Sequence, residues 1–297
     1  ARTLLEMGAR QGRPITEDGE VWRLLTAVYL HSGVVHFVMN MLALLQLGLE
    51  LERAHGFCAV ATIYLLSGVF GNIVGTALSP YVVSVGASGA IFGLVGACVG
   101  EVIQNWGLYP YPCRVLLQLS FVAGFQLLLG TSPGVDNFAH FFGFLMGLLV
   151  SLSLTVLPRF TSSGQLLATK CHHRLLQGLA AACVPLALLL GIYVLYAGNA
   201  RDLCPWCDKI SCLPFPWGCD PRDRDSCWGW DCSTCANGGL SAEVSWLGTE
   251  ANGTVELSCP LAGEGHQNIT VWPVDVSQVS SLAVIELCKD HCPDAFR

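Results

Sequence analysis

Val85-Gly86-Ala87-Ser88-Gly89-Ala90-Ile91-Phe92-Gly93 sets a single serine between glycines at the head of an apolar run. Polar groups at membrane depth are expensive and tend to be functional. Glycine on either side lets a backbone or a ligand come close. The competing reading is a small-residue seam for helix packing, because Gly, Ala and Ser all favour close helix–helix contact. A second polar residue decides for chemistry: His140, in a separate apolar segment, followed by Gly143 and Gly147.

The surroundings of both residues are mostly hydrocarbon. The chain is 53% hydrophobic and 12% charged, far from the composition of an ordinary water-soluble domain. Between Leu24 and Leu157 the charges are Glu50, Glu52, Arg53, Glu101, Arg114 and Asp136 alone. This is the pattern of a polytopic, all-α membrane protein. Apolar spans are expected at about 34–51, 56–78, 86–100, 115–129, 135–157 and 175–197. The serine span is the short one. Fifteen residues make roughly 22 Å of helix, against a hydrocarbon core of about 30 Å. Its head is therefore expected below the membrane surface, which is tolerable where the preceding loop lines a wet cavity.

Charge and cysteine divide the chain in two. Through Ala197 there are nine Lys/Arg and eight Asp/Glu; beyond it, six and fourteen. The acidic balance belongs to the tail, and nothing points to nucleic acid. Ten of the fifteen cysteines lie at or after Cys204, beside the sequons Asn252-Gly-Thr254 and Asn268-Ile-Thr270. Dense cysteine with glycosylation acceptors implies an oxidising lumenal or extracellular side. Loop charge agrees: Arg53, Arg114, Arg159, Lys170 and Arg174 fall on one set of alternate loops, and 79–84 and 130–134 on the other hold none. The basic set is expected in the cytosol. The heads of the His36, Ser88 and His140 helices then share the opposite side with the tail.

A serine hydroxyl is a weak nucleophile until a base takes its proton, and imidazole is a natural base near neutral pH. Ser88 and His140 fit these roles. The Ser88 backbone N–H, the Asn40 amide and His36 could stabilise the developing oxyanion, with Gly86 beside them. His36 and Asn40 are four apart and share a helix face. Gly89 and Gly93, with Gly143 and Gly147, would let the two helices pack tightly enough for a Ser–His contact.

These residues carry a resemblance. Gly86-Ala-Ser-Gly-Ala-Ile-Phe-Gly93 resembles the serine motif of rhomboid intramembrane proteases. His31, His36 and Asn40 resemble that family's second-helix motif, Ala139-His140 with Gly143 and Gly147 its last core helix, and Trp22-Arg23 the Trp-Arg of its first loop. Four motifs stand in the right order over about residues 1–160. The 135–140 stretch, the extra helix and the Cys204-Pro-Trp-Cys207 tail look like the plant and algal secretory-pathway branch.

The resemblance implies a rhomboid-like bundle with a Ser88–His140 dyad and His36 and Asn40 in the oxyanion site. It also implies cleavage of single-pass membrane proteins in or near their transmembrane helices, at a Golgi or plasma membrane, without cofactor or metal. Five of six core helices are visible, so the first is expected to be missing from a sequence that opens at Ala1. The expected organisation is a protease core at 1–160, a cytosolic loop and extra transmembrane helix at 161–200, and a Cys-rich lumenal tail at 201–297. A catalytically silent adaptor that binds and traffics membrane clients is the alternative; inactive relatives have a disrupted serine motif, whereas Ser88 and His140 are both present.

The other polar residues have plainer readings. Asp136 reads as an acid starting a helix rather than a third triad member. His55, His172 and His173 read as surface residues, Glu101 as a solvated helix end, and Gly68, Gly71 and Gly75 as packing positions. Cys204-x-x-Cys207 and Cys232-x-x-Cys235 read as disulfides rather than zinc ligands.

Overall fold

Helix length and hydropathy mark the membrane-spanning part of the chain. The computed structural model describes residues 2–80, 82–132, 135–157, 171–197 and 200; beyond these it describes Phe215, 243–247, 253–260, 266–274, Cys288 and 291–292. Short helices α1 (Arg2–Glu6), α2 (Gly12–Thr16) and α3 (Arg23–Thr26) precede α4 (Val34–His55) and α5 (Phe57–Leu78). Then come α6 (Ser88–Gln104), a 3-10 turn at Trp106–Leu108, α7 (Pro112–Leu129), α8 (Asn137–Leu154) and α9 (Cys171–Ala197). Helices α4, α5, α7, α8 and α9 are long and apolar enough to cross a membrane, and α6 is the shorter apolar helix. The chain is a multi-pass membrane protein built as a helical bundle.

Helix α6 sits at the centre, buried along most of its length, while Ala123 is the one fully buried residue of α7. An amphipathic pattern would be out of place here: the outer helices turn Val38, Leu42, Leu117 and Leu189 outward, where lipid rather than water is the solvent. The core between α5, α6 and α8 gathers Ile63, Phe70, Leu94, Ala97 and Met146. Backbone contact replaces side-chain packing between α6 and α8. A Cβ on Gly143 would fall on the Gly89 carbonyl, and one on Gly147 on the Gly93 backbone. The seam continues through Gly96 against Phe144 and Gly100 against Ser151.

The lower end of that seam is locked by amides. Gln104 donates to the Leu152 carbonyl, Asn105 donates to Thr155 O at 2.8 Å, and Leu157 N–H returns a bond to Asn105 Oδ1 at 2.9 Å. Both amide side chains are fully buried, so the polar patch ending the serine helix is a set of staples. Glu101 and His55 correct their sequence readings as well. Their side chains are 13% and 5% exposed and lie 3.6 Å apart, and Tyr109 Oη donates to Glu101 at 3.1 Å. Burial, and then Glu101, push the Tyr109 phenol up to about 12. His173 is no plain surface residue either, because its Nδ1 meets Gln104 Oε1 at 3.1 Å and ties α9 to α6.

The tail holds structure that hydropathy did not announce. Strands β1 (Glu243–Leu247), β2 (Gly253–Pro260) and β3 (His266–Val274) form an antiparallel sheet in that order. Cys259 and Cys292 come together with Cα atoms 5.2 Å apart, the spacing of a disulfide. Asn252, both Cys-x-x-Cys pairs, Arg159 and Lys170 lie outside the described residues.

Candidate active site

Ser88 is the first residue of α6. The first N–H groups of a helix have no acceptor within it, and the aligned peptide dipoles make that end electropositive. The chain reaches Ser88 through Gly86, whose φ of +137° belongs to glycine. His140 lies in the first turn of α8 and points across the glycine seam. Its Nε2 is 2.7 Å from Ser88 Oγ. The imidazole stacks on Phe92, one turn down α6, with centroids 4.5 Å apart and planes at 12°. Phe92 thus fixes the plane of the ring and closes its lower face.

The opposite ring atom, His140 Nδ1, is buried and has no hydrogen-bond partner among the described residues. Asp136 is occupied elsewhere. Its Oδ1 caps α8 by accepting from Ala139 N–H at 3.2 Å, and its Oδ2 lies 2.6 Å from Arg10 Nη2. Among the described residues the arrangement is a Ser–His pair without a carboxylate on the histidine.

His36 and Asn40 line the same cavity as Ser88, Gly86 and His140, a space of about 820 Å³ bounded on its far side by Phe121 and Phe125 of α7. His36 Nδ1 is held by Ser32 Oγ at 3.0 Å. A Cβ on Gly86 would lie 3.0 Å from His36 Nε2 and 3.6 Å from Ser88 Oγ. The missing side chain of Gly86 therefore leaves a small gap between the imidazole and the hydroxyl. Asn40 is less free than its spacing implied. Its amide donates to its own helix at His36 O, 2.8 Å away, which leaves the second N–H for a ligand. His31 stacks edge-on to both His36 and Phe37.

Residues 18–156 match the rhomboid domain. RHOMBOID-like protein 6, mitochondrial, of Arabidopsis thaliana is 36% identical over 230 residues, covering 73% of this chain and 75% of that one. The chain belongs to the rhomboid family. RHOMBOID-like protein 4 of the same plant is 31% identical over 97% of this chain and 70% of its own, so that likeness extends through the tail. Inactive rhomboid protein 2 of Homo sapiens is 35% identical over 66% of this chain and 22% of its own.

In this rhomboid the glycines read as packing positions do two jobs. Gly89, Gly93, Gly143 and Gly147 all lie at the α6–α8 contact, and Gly71 brings α5 against the Ala139 carbonyl. Gly75 instead makes room for Arg10 and Asp136. In the Trp22-Arg23 pair the indole is exposed and the guanidinium turns inward as a strut. Arg23 is 8% exposed, pairs with Glu20 at 2.5 Å and donates to Leu5 O and Ala9 O at 2.6 and 3.1 Å. Phe92 and Arg10 are site-bordering residues that sequence reading passed over. Phe92 carried a signal, one turn after Ser88; Arg10 carried none.

Proposed function

We propose that this rhomboid is a serine endopeptidase that cuts single-pass membrane proteins in or near their transmembrane helices. The observation that carries the reading is the 2.7 Å contact between Ser88 Oγ and His140 Nε2, made at the head of a helix and open to an 820 Å³ cavity. His140 removes the Ser88 proton as Oγ attacks the scissile carbonyl. The tetrahedral oxyanion occupies the gap left by Gly86, facing the Ser88 backbone N–H, His36 and the free N–H of Asn40. His140 then protonates the leaving amine, and water, activated the same way, hydrolyses the acyl-enzyme. This sequence uses side chains, the Ser88 backbone N–H and water.

The substrate must offer an unwound peptide bond, since a helical one is shielded by its own hydrogen bonds. Helices with small or helix-breaking residues should be preferred. The reading keeps residues 1–160 as the reacting core, 161–200 as the cytosolic loop and extra helix, and 201–297 as an oxidised lumenal tail glycosylated at Asn252 and Asn268. The reading also keeps the site and tail on the lumenal or extracellular face of a secretory-pathway membrane, and the basic loops, expected in the cytosol, support that orientation.

One observation favours the alternative of a silent client-binding adaptor: the likeness to an inactive human rhomboid. The test is co-expression with a model single-pass substrate. Cleavage by wild type, abolished in Ser88→Ala and in His140→Ala, supports the protease. Equal cleavage by all three refutes the assignment of these residues. Substrate that co-purifies intact with wild type transfers the reading to the adaptor.

A further inference from the structure

Arg10 is fully buried, an expensive place for a guanidinium unless the group is paired and holds something in place. Its surroundings reach both halves of the candidate dyad. Through its backbone, Arg10 pairs antiparallel with Ser84: Arg10 N–H donates to Ser84 O at 3.0 Å and Ser84 N–H returns the bond at 3.0 Å. Ser84 stands four residues before Ser88, and Gly12 N–H adds a bond to Pro80 O at 2.7 Å. The segment that delivers the serine is thus hung on the segment around Arg10.

Through its side chain, Arg10 reaches the histidine's helix. Nη2 lies 2.6 Å from Asp136 Oδ2, an ion pair with side chains 0% and 7% exposed, and Nη1 donates to Asn72 O of α5 at 3.4 Å. Asp136 is the N-cap of α8, and its carbonyl accepts from His140 N–H at 3.4 Å. Fixing the cap fixes the rotation of the first turn and so the direction of the imidazole. Asn72 is held in turn by its bond to Leu24 O at 2.8 Å. A Cβ on Gly75 would collide with Arg10 Nη1, so α5 is notched to pass the side chain.

We infer that Arg10 is a positioning residue for the Ser88–His140 pair, tying the segment before the serine to the cap of the histidine's helix. The inference rests on the protease reading. A misplacement of about 1 Å between reacting groups costs roughly 100-fold in rate, so loss of the tie should show as slow serine chemistry.

The test measures the second-order rate of Ser88 labelling by a fluorophosphonate probe in the full chain, alongside thermal unfolding, with Ser88→Ala as the background. Arg10→Met leaves Asp136 buried and unpaired, which by itself would destabilise the fold. The Arg10→Met/Asp136→Asn double variant removes that charge and keeps a capping side chain. Gly75→Ala displaces the guanidinium with both charges still present. Labelling that falls roughly 10- to 100-fold in the double variant and in Gly75→Ala, at unfolding temperatures near wild type and with substantial recovery in Arg10→Lys, supports the inference. A double variant that labels at the wild-type rate overturns it, because Arg10 then only neutralises a buried carboxylate. Absence of any Ser88-dependent labelling in wild type removes the protease reading and this inference with it.

Discussion

At the scale of single residues, Gly86 is where backbone and chemistry meet. Its φ of +137° would strain any other residue by about 1–3 kcal/mol, and a methyl there would enter the gap between His36 and Ser88. Gly86→Ala is therefore expected to lower the rate of substrate cleavage by roughly 100-fold or more, the scale of losing an oxyanion contact. Its effect on thermal unfolding should stay small beside that. A variant that unfolds early yet cleaves normally once folded would show that strain alone accounts for the glycine. Ser88, His140 and the glycines framing them were legible because a hydroxyl and an imidazole are conspicuous among hydrocarbon. The Asn40 rotamer was not, since a spacing of four residues fixes a face and leaves χ angles open.

At the scale of elements, the α6–α8 seam sets the distance between serine and histidine. Gly147→Ala places a methyl on the Gly93 backbone, and neither side can yield as a flexible side chain does. Overpacking of this kind costs about 1–3 kcal/mol, and the helices must part to relieve it. The expected result is a lower unfolding temperature together with slower cleavage. Gly124 provides the contrast. It lies in α7 with nothing within 4 Å, so Gly124→Ala should leave both measurements intact or gain slightly from helix propensity. Equal damage in the two variants would refute the seam as the distance-setting element. Helix positions followed from hydropathy to within a few residues at each end. The lower limit of α6 did not, because Gln104 and Asn105 look like solvent-seeking amides. Their acceptors, Leu152 and Thr155, lie about fifty residues further on.

At the scale of the whole molecule, α9 is attached to the bundle away from the site. Gly191 rests on Phe70 and Ile73, its Cβ position 3.1 and 3.2 Å from their side chains, and His173 meets Gln104. Gly191→Leu should thus lower the unfolding temperature while leaving the fluorophosphonate labelling rate of the folded protein within about twofold of wild type. A large fall in labelling rate at full stability would mean that α9 acts on the dyad. Bundle, extra helix and cysteine-rich tail were all visible in composition and charge. The three-stranded sheet was not, since its strands sit among cysteines and sequons that signal compartment rather than secondary structure.

The burial of Arg10 against Asp136 also has a consequence in time. The two residues are separated by 126 positions, and synthesis at roughly 5–20 residues per second leaves an interval of about 6–25 s between them. During that interval Asp136, its partner in the folded chain, does not yet exist. Ser88 and the segment before it emerge while that ion pair is still unmade. The buried ion pair between the amino-terminal segment and α8 can form only when α8 arrives with Asp136, so the nascent chain completes this tie with its last core helix.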